Sequence, residues 1–239
     1  MCGTCGCGQP AVSVDLEERI LSANEARAHH NREHLLSAGV FAVNLMGSPG
    51  SGKTAVLEGT ARAFPGSRRL LALAGDLTTD LDARRLHAAG IASRSINTGS
   101  ACHLDAEMVH HALHDLPLAG ADYLFIENVG NLVCPAIFDL GQAVNVVALS
   151  VTEGPDKPLK YPVMFRKADA VLLTKTDLLP SLPGVRLEDY LDSLARATPE
   201  PRVWPVAALT AGGLEPWIDW LETRRAELSG AWVAEGLEV

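Results

Sequence analysis

The chain has 239 residues, 47% of them hydrophobic, which suits one large α/β domain with short additions. Its formal net charge is −9 with no long basic run, which disfavours a nucleic-acid or anionic-membrane partner. No apolar run approaches the roughly 18–20 residues that span a bilayer, and no basic-then-apolar secretory signal is visible, so a cytoplasmic location is expected.

Five cysteines, an odd number, argue against a disulfide framework in such a chain. Three of them, Cys2, Cys5 and Cys7, lie in a glycine-rich tail over residues 1–12 that has no hydrophobic period and is expected to be unstructured without a ligand. Their C-x-x-C-x-C spacing lets all three sulfurs converge on one ion. If Met1 is removed, the amine of Cys2 adds a fourth ligand. Such a set satisfies a planar Ni(II) or a tetrahedral Zn(II). An Fe–S remnant, a redox thiol pair and a Zn staple are the alternatives.

Residues 13–38 read as a helix, with Leu16, Ile20, Ala23 and Ala26 at helical spacing and Leu35 and Leu36 further on. Ser13 or Asp15 would cap it, Gly39 ends it, and it carries His29, His30 and His34. Beyond it, strands at 40–46, 69–74, 91–96, 123–127, 143–151, 170–174 and 202–207 alternate with helices at 54–64, 80–89, 104–113, 159–166, 188–197 and 214–225. This alternation predicts a mostly parallel sheet covered by helices on both faces. The main domain is read as 39–228, with a loose tail over 229–239.

The first strand runs into Gly47-Ser48-Pro49-Gly50-Ser51-Gly52-Lys53-Thr54, a G-x-x-x-x-G-K-S/T phosphate-binding loop in its strand–loop–helix setting. The glycines let backbone N–H groups cradle phosphate oxygens, and the helix N-terminus, opening at Thr54 and Ala55, adds a positive field. Lys53 reaches the outer phosphates, and the Thr54 hydroxyl is a Mg²⁺ ligand. Asp76 and Glu127 close two later strands, where open α/β sheets bind ligands, and either supplies hard oxygen to Mg²⁺. Glu127-Asn128-Val129-Gly130 resembles a D-x-x-G switch, with Gly130 N–H available to the γ-phosphate. Asn131 stands where fast switches place a water-orienting Gln, so slow intrinsic hydrolysis is expected, raised by a partner or by dimerisation. Lys175 and Asp177 follow a strand as in N-K-x-D, with Thr174 for Asn, and the Asp carboxylate suits the two guanine donors. Ala207 and Ala208 occupy the position whose backbone N–H, that of Ala208, meets guanine O6. GTP is therefore expected over ATP.

Cys102-His103 and Cys134 form a second soft set, each just beyond a predicted strand and so at the phosphate end of the sheet. Two ordinary buried cysteines are the alternative. On the following helix His110, His111 and His114 are weaker ligand candidates, and with Glu107 they read rather as a solvated face. Cys134 follows the switch glycine closely, so a γ-phosphate pulling on Gly130 would move Cys134 and make metal affinity depend on nucleotide.

This combination resembles the HypB family of GTPases that help deliver nickel to nickel–iron hydrogenase. The matching stretches are the Cys tail, 44–54, Gly75-Asp76, 99–105, 127–135 and 156–165, the last containing Lys157-Pro158-Leu159-Lys160-Tyr161-Pro162. The resemblance implies an α/β P-loop NTPase fold of the SIMIBI class and a homodimer on GTP binding. It implies a nickel site at Cys2, Cys5 and Cys7, and a Zn or Ni site at Cys102, His103 and Cys134 near the dimer interface. Catalytic roles fall on Lys53, Asp76, Glu127 and Gly130, and Thr54 and Asp76 lie on the Mg²⁺ side. A HypA-type nickel chaperone and the hydrogenase large-subunit precursor are the implied partners. The sequence lacks the longer His-rich stretch of some members, so bulk nickel storage is not expected. A urease-type nickel GTPase, a metal carrier with a regulatory nucleotide site and a small-molecule kinase are the competing readings.

Overall fold

The computed structural model describes residues 11–64, 66, 68–76, 79–99 and 101–234, without the side chains of 11–17 and 231–234. The tail cysteines Cys2, Cys5 and Cys7 lie outside the described residues. Seven strands form one sheet: β1 Phe41–Met46, β2 Leu70–Asp76, β3 Ala92–Asn97, β4 Tyr123–Glu127, β5 Val144–Ser150, β6 Ala170–Thr174 and β7 Val203–Pro205. Their order is β3-β2-β4-β1-β5-β6-β7, and every pairing is parallel. Strands β1, β4 and β6 are buried along their whole length, as expected of central strands sandwiched between helices.

The helices are α1 Ala11–Ser37, α2 Lys53–Ala63, α3 Leu81–Ala88, α4 Ala106–Leu113, α5 Lys157–Lys160, α6 Pro162–Arg166, α7 Leu187–Ala197 and α8 Glu215–Ala234. Side chains alternate along each strand, so two faces fill separately. On one face Val43, Leu45, Phe125, Val146 and Leu172 pack under Val56 and Leu57 of α2, Leu86 of α3 and Trp217 and Leu221 of α8. On the other, Ala42, Leu71, Leu124 and Ile126 meet Leu35 of α1 and Val109 and Leu113 of α4. Val147, Leu149, Val171 and Leu173 meet Phe165 of α6 and Tyr190 and Leu194 of α7 on that same side. Among the described residues no helix is long and apolar enough to cross a membrane.

The structure departs from the sequence reading at several element ends. Helix α1 begins at Ala11, so neither Ser13 nor Asp15 caps it. The helix predicted over 159–166 is two short helices parted at Tyr161, because Pro162 has no N–H to continue the first ladder. Helix α8 runs on to Ala234, past Ser229 where a loose tail is expected. Strand β7 spans only Val203–Pro205, shorter than the predicted 202–207, with Pro205 tolerated on this edge strand.

Candidate functional site

The loop after β1 wraps the N-terminus of α2 in the cradle the sequence predicts. Gly47, Gly50 and Gly52 have φ of 147°, 74° and 94°, which side-chain-bearing residues rarely adopt. At Gly47 a Cβ would also meet the Ala148 carbonyl oxygen at 2.4 Å. Lys53 is buried, its Nζ donating to the carbonyls of Ser48 at 3.2 Å and Gly47 at 3.4 Å. Burial lowers its pKa, opposed by the nearby carboxylates of Glu127, Asp82 and Glu153. Beside the loop lies a cleft of about 490 Å³, lined among others by Lys53, Thr54, Asp76, Asp82, Glu127 and Gly130.

In that cleft the Thr54 hydroxyl lies 2.7 Å from Glu127 Oε1 and 3.0 Å from Asp82 Oδ1. Burial pushes the Glu127 carboxyl up to about 7, against the pull of Lys53 and the Thr54 hydrogen bond. Its Oε2 is buried with no hydrogen-bond partner among the described residues. A bare, buried carboxylate oxygen beside a hydroxyl and a second carboxylate is a hard-oxygen set that fits Mg²⁺. Asp76 stands at the same strand end and accepts from the Thr79 hydroxyl.

Asp82 and Arg85 escaped the sequence reading. Asp82 sits in the first turn of α3, where an acidic residue already has an ordinary reason in the helix dipole. Arg85, one turn on, pairs with Glu58 of α2 at 2.9 Å and reaches Asp82 at 3.6 Å. Only the packing of α3 on α2 brings both to the phosphate loop.

Of the residues expected from the sequence to recognise the base, Lys175 lies against the phosphate loop. Lys175 adopts a left-handed conformation, φ 59°, and its Nζ donates to Gly50 O at 2.7 Å. Thr174, buried, donates its hydroxyl to Ser51 O at 2.5 Å. The residue in the Asn position thus ties β6 to the phosphate loop through a hydroxyl. Asp177 is exposed in the 3₁₀ turn Thr176–Ser181. Ala207 pairs with Gly212, and Ala208 follows, its carbonyl accepting from Arg62 at 3.2 Å.

The switch-like segment after β4 is docked on the phosphate loop. A Cβ on Gly130 would meet Pro49 N at 2.7 Å, and Asn131 bridges to Gly47. The Asn131 side-chain oxygen accepts from Val133 N at 2.7 Å. Asn128 donates to Asn44 Oδ1 at 3.1 Å and accepts from Leu104 N at 3.3 Å, linking this segment to the loop after β3.

Those two loops bring Cys102, His103 and Cys134 together, their ligand atoms within 4.8 Å of one another. The sulfurs of Cys102 and Cys134 are 3.1 Å apart, and Cys102 Sγ is 3.8 Å from His103 Nδ1. Both thiols are free, Cys102 exposed and Cys134 half-buried, so the alternative of two ordinary buried cysteines fails. His103 stacks on Phe138 at 4.0 Å between ring centres, and burial lowers its pKa against the pull of Asp105, which favours the neutral, metal-binding form of the imidazole. Leu104 anchors this loop against Gly75, where a Cβ would clash at 2.9 Å. On α4, His111 and His114 are exposed as expected, but His110 is half-buried and bonded to Asn31 at 3.2 Å.

The chain is similar in sequence and fold to known proteins. Residues 41–201 match the family described as CobW/HypB/UreG, nucleotide-binding domain. The hydrogenase maturation factor HypB of Rhizobium leguminosarum bv. viciae is 46% identical over 94% of this chain and 76% of its own length. That of Escherichia coli K12 is 42% identical over 93% of this chain and 78% of its own. The crystal structure of HypB from Helicobacter pylori in complex with nickel superposes with a TM-score of 0.81 at 39% identity, covering 86% of this chain and 96% of that one. With the phosphate loop, the parallel sheet and the similarity extending over most of both chains, the chain belongs to the CobW/HypB/UreG nucleotide-binding family, as a member of its HypB branch.

Proposed function

We propose that this chain hydrolyses GTP to time the delivery of Ni(II) during maturation of nickel–iron hydrogenase. What carries the reading is the continuity between the two sites. Gly130 packs on Pro49, Asn131 bridges to Gly47, and Cys134 stands a single turn further along. A γ-phosphate entering the cradle competes for the same loop that holds Gly130, and any shift there is passed to Cys134.

In this reading residues Gly47 to Ala55 hold the phosphates, and Lys53 Nζ leaves the carbonyls of Gly47 and Ser48 for the outer phosphate oxygens. Thr54, Asp76, Asp82 and Glu127 would hold Mg²⁺ directly or through water, and the bound ion neutralises charge on the phosphates. Lys175, Asp177 and the backbone of Ala207 and Ala208 select guanine. Asn131, its carbonyl engaged by Val133 N–H, is poorly placed to orient a water, so intrinsic hydrolysis is slow and is raised by a partner or by GTP-dependent homodimerisation.

The cargo ion sits on Cys102, His103 and Cys134, and a second on Cys2, Cys5 and Cys7. The nickel complex of the Helicobacter pylori relative supports Ni(II), while two thiolates and an imidazole also accept Zn(II). Two thiolates on a tetrahedral ion with bonds of about 2.3 Å stand about 3.8 Å apart. The observed 3.1 Å therefore requires the sulfurs to part for such an ion to seat. A HypA-type chaperone and the hydrogenase large-subunit precursor are the proposed donor and acceptor. The decisive measurement is Ni(II) affinity with GDP and with a non-hydrolysable GTP analogue. The affinities are expected to differ by at least about tenfold; equal affinities overturn the coupling.

A further inference from the structure

Outside the nucleotide and cysteine sites, helices α1 and α4 press four imidazoles into one seam. His30 and His34 stand one turn apart on α1, and His110 and His114 one turn apart on α4. That i, i+4 spacing puts each pair on a single helix face. The Nε2 atoms of His110 and His114 are 3.4 Å apart. The ring of His30 lies 5.1 Å from that of His110, and the ring of His34 lies 6.2 Å from that of His114. A groove of about 760 Å³ opens beside them, with His30, His34 and His114 on its wall.

The orientation of His110 is set by a buried amide. Asn31 is fully buried and its Nδ2 donates to the carbonyls of Ala106 at 2.8 Å and Leu140 at 3.2 Å. Its Oδ1 therefore faces His110 Nδ1 as acceptor, at 3.2 Å. The proton of His110 is thereby held on Nδ1, leaving Nε2 as a lone pair aimed at His114. An amide or carbonyl fixing the far nitrogen of an imidazole is how metal-binding histidines are held in one tautomer. Two imidazole nitrogens on one tetrahedral ion, at bonds of about 2.0–2.1 Å, are about 3.4 Å apart, which is the spacing found here. The two other nearby histidines are otherwise engaged: His29 lies 3.5 Å from Glu33 and His111 lies 3.1 Å from Glu107. Of the cations on this side, Arg27 is paired with Glu107, and Arg32, on the groove wall, with Asp139.

We propose that His30, His34, His110 and His114 form a further metal site at the α1–α4 seam, taking one divalent transition ion through imidazole nitrogens. His110 and His114 are the preformed pair. His30 and His34 complete the set by side-chain rotation. In the metal-free pair the Nε2–H of His114 donates to His110 Nε2; ion binding moves that proton to His114 Nδ1, so no net charge is lost from the protein. The ligand chemistry selects Ni(II), Co(II), Cu(II) or Zn(II) over Mg²⁺ or Ca²⁺. This inference does not depend on GTP or on the cysteine sites.

The test uses Co(II), whose spectrum separates sulfur from nitrogen ligation. The full-length chain with Cys2, Cys5, Cys7, Cys102 and Cys134 changed to Ser is expected to bind one equivalent, with visible d–d bands and no sulfur-to-cobalt charge transfer. Adding His110→Ala and His114→Ala should weaken that binding at least about tenfold. In the cysteine-containing chain the same two histidine changes should remove one equivalent and leave the charge-transfer band intact, a comparison that holds even if the Ser variant folds poorly. A cysteine-free, folded chain that binds no Co(II), or binding unchanged by the two histidine substitutions, overturns the proposal while leaving nickel delivery untouched.

Discussion

Burying the Glu127 carboxyl beside Lys53 leaves Oε2 with no partner among the described residues, an arrangement that costs free energy until a proton or cation neutralises it. The surrounding oxygens, from Thr54 and Asp82, are what a divalent ion would share with it. Asp82→Asn keeps the shape and removes the charge. It is expected to raise the Mg²⁺ concentration for half-maximal GTP turnover by about 10–100-fold, read from a Mg²⁺ titration at saturating GTP. An unchanged midpoint would remove Asp82 from the ion's shell. Lys53→Ala is expected to lower kcat for GTP by at least about 100-fold while leaving Ni(II) binding to nucleotide-free protein intact. Loss of both would mean that Lys53 supports the fold more than the chemistry.

At the scale of elements, the segment from β4 to the 3₁₀ turn Cys134–Ala136 is the connection that matters. It leaves the sheet at Glu127, docks on the phosphate loop at Gly130 and delivers Cys134 to Cys102. Gly130→Ala forces a methyl to within 2.7 Å of Pro49 N, so the docked arrangement cannot persist unchanged. The expected outcome is a stability loss of about 1–3 kcal/mol, measured by urea unfolding. Ni(II) affinity in that variant should no longer distinguish GDP from the GTP analogue. Retained discrimination would place the coupling elsewhere, for instance through Asn128, which joins Asn44 of β1 to Leu104 beside His103.

For the molecule as a whole, the sheet divides the work between its faces. The face holding α2, α3 and α8 anchors the phosphate loop from below: Trp217 of α8, fully buried, donates its indole N–H to Thr60 of α2 at 3.0 Å. Trp217→Ala removes both the packing and that bond and is expected to cost about 3–5 kcal/mol, seen as a lower urea midpoint. A change below about 1 kcal/mol would mean that α8 is not integral to the core. The opposite face carries α1 and α4, whose packing brings His30 near His110 and seats Asn31. The ligand loops all emerge at the carboxyl ends of the parallel strands, the edge where open α/β sheets bind ligands.

Much of this was legible in the chain alone. The phosphate loop is local in sequence: its glycines, lysine and threonine lie within one strand–loop–helix unit, so spacing suffices to find it. The alternation of apolar runs and amphipathic stretches was enough for a parallel sheet, and strand ends foretold that Cys102 and Cys134 share an edge. What escaped were residues whose role depends on contacts distant in sequence. Asp82 and Arg85 look like an ordinary first-turn acid and last-turn base of a helix until α3 packs on α2. Thr174 reads as a weakened base motif until its hydroxyl meets Ser51 O. His110 reads as part of a solvated face until Asn31, far away on α1, turns its ring. The alternation of apolar and amphipathic stretches determined the fold class, motif spacing determined the nucleotide cradle, and the resemblance of the quoted motifs pointed to the family. Which side chains converge in the cleft, how the switch segment rests on the loop, and which imidazoles face one another were decided only by tertiary packing, because each depends on helix–helix and loop–loop contacts that no local pattern encodes.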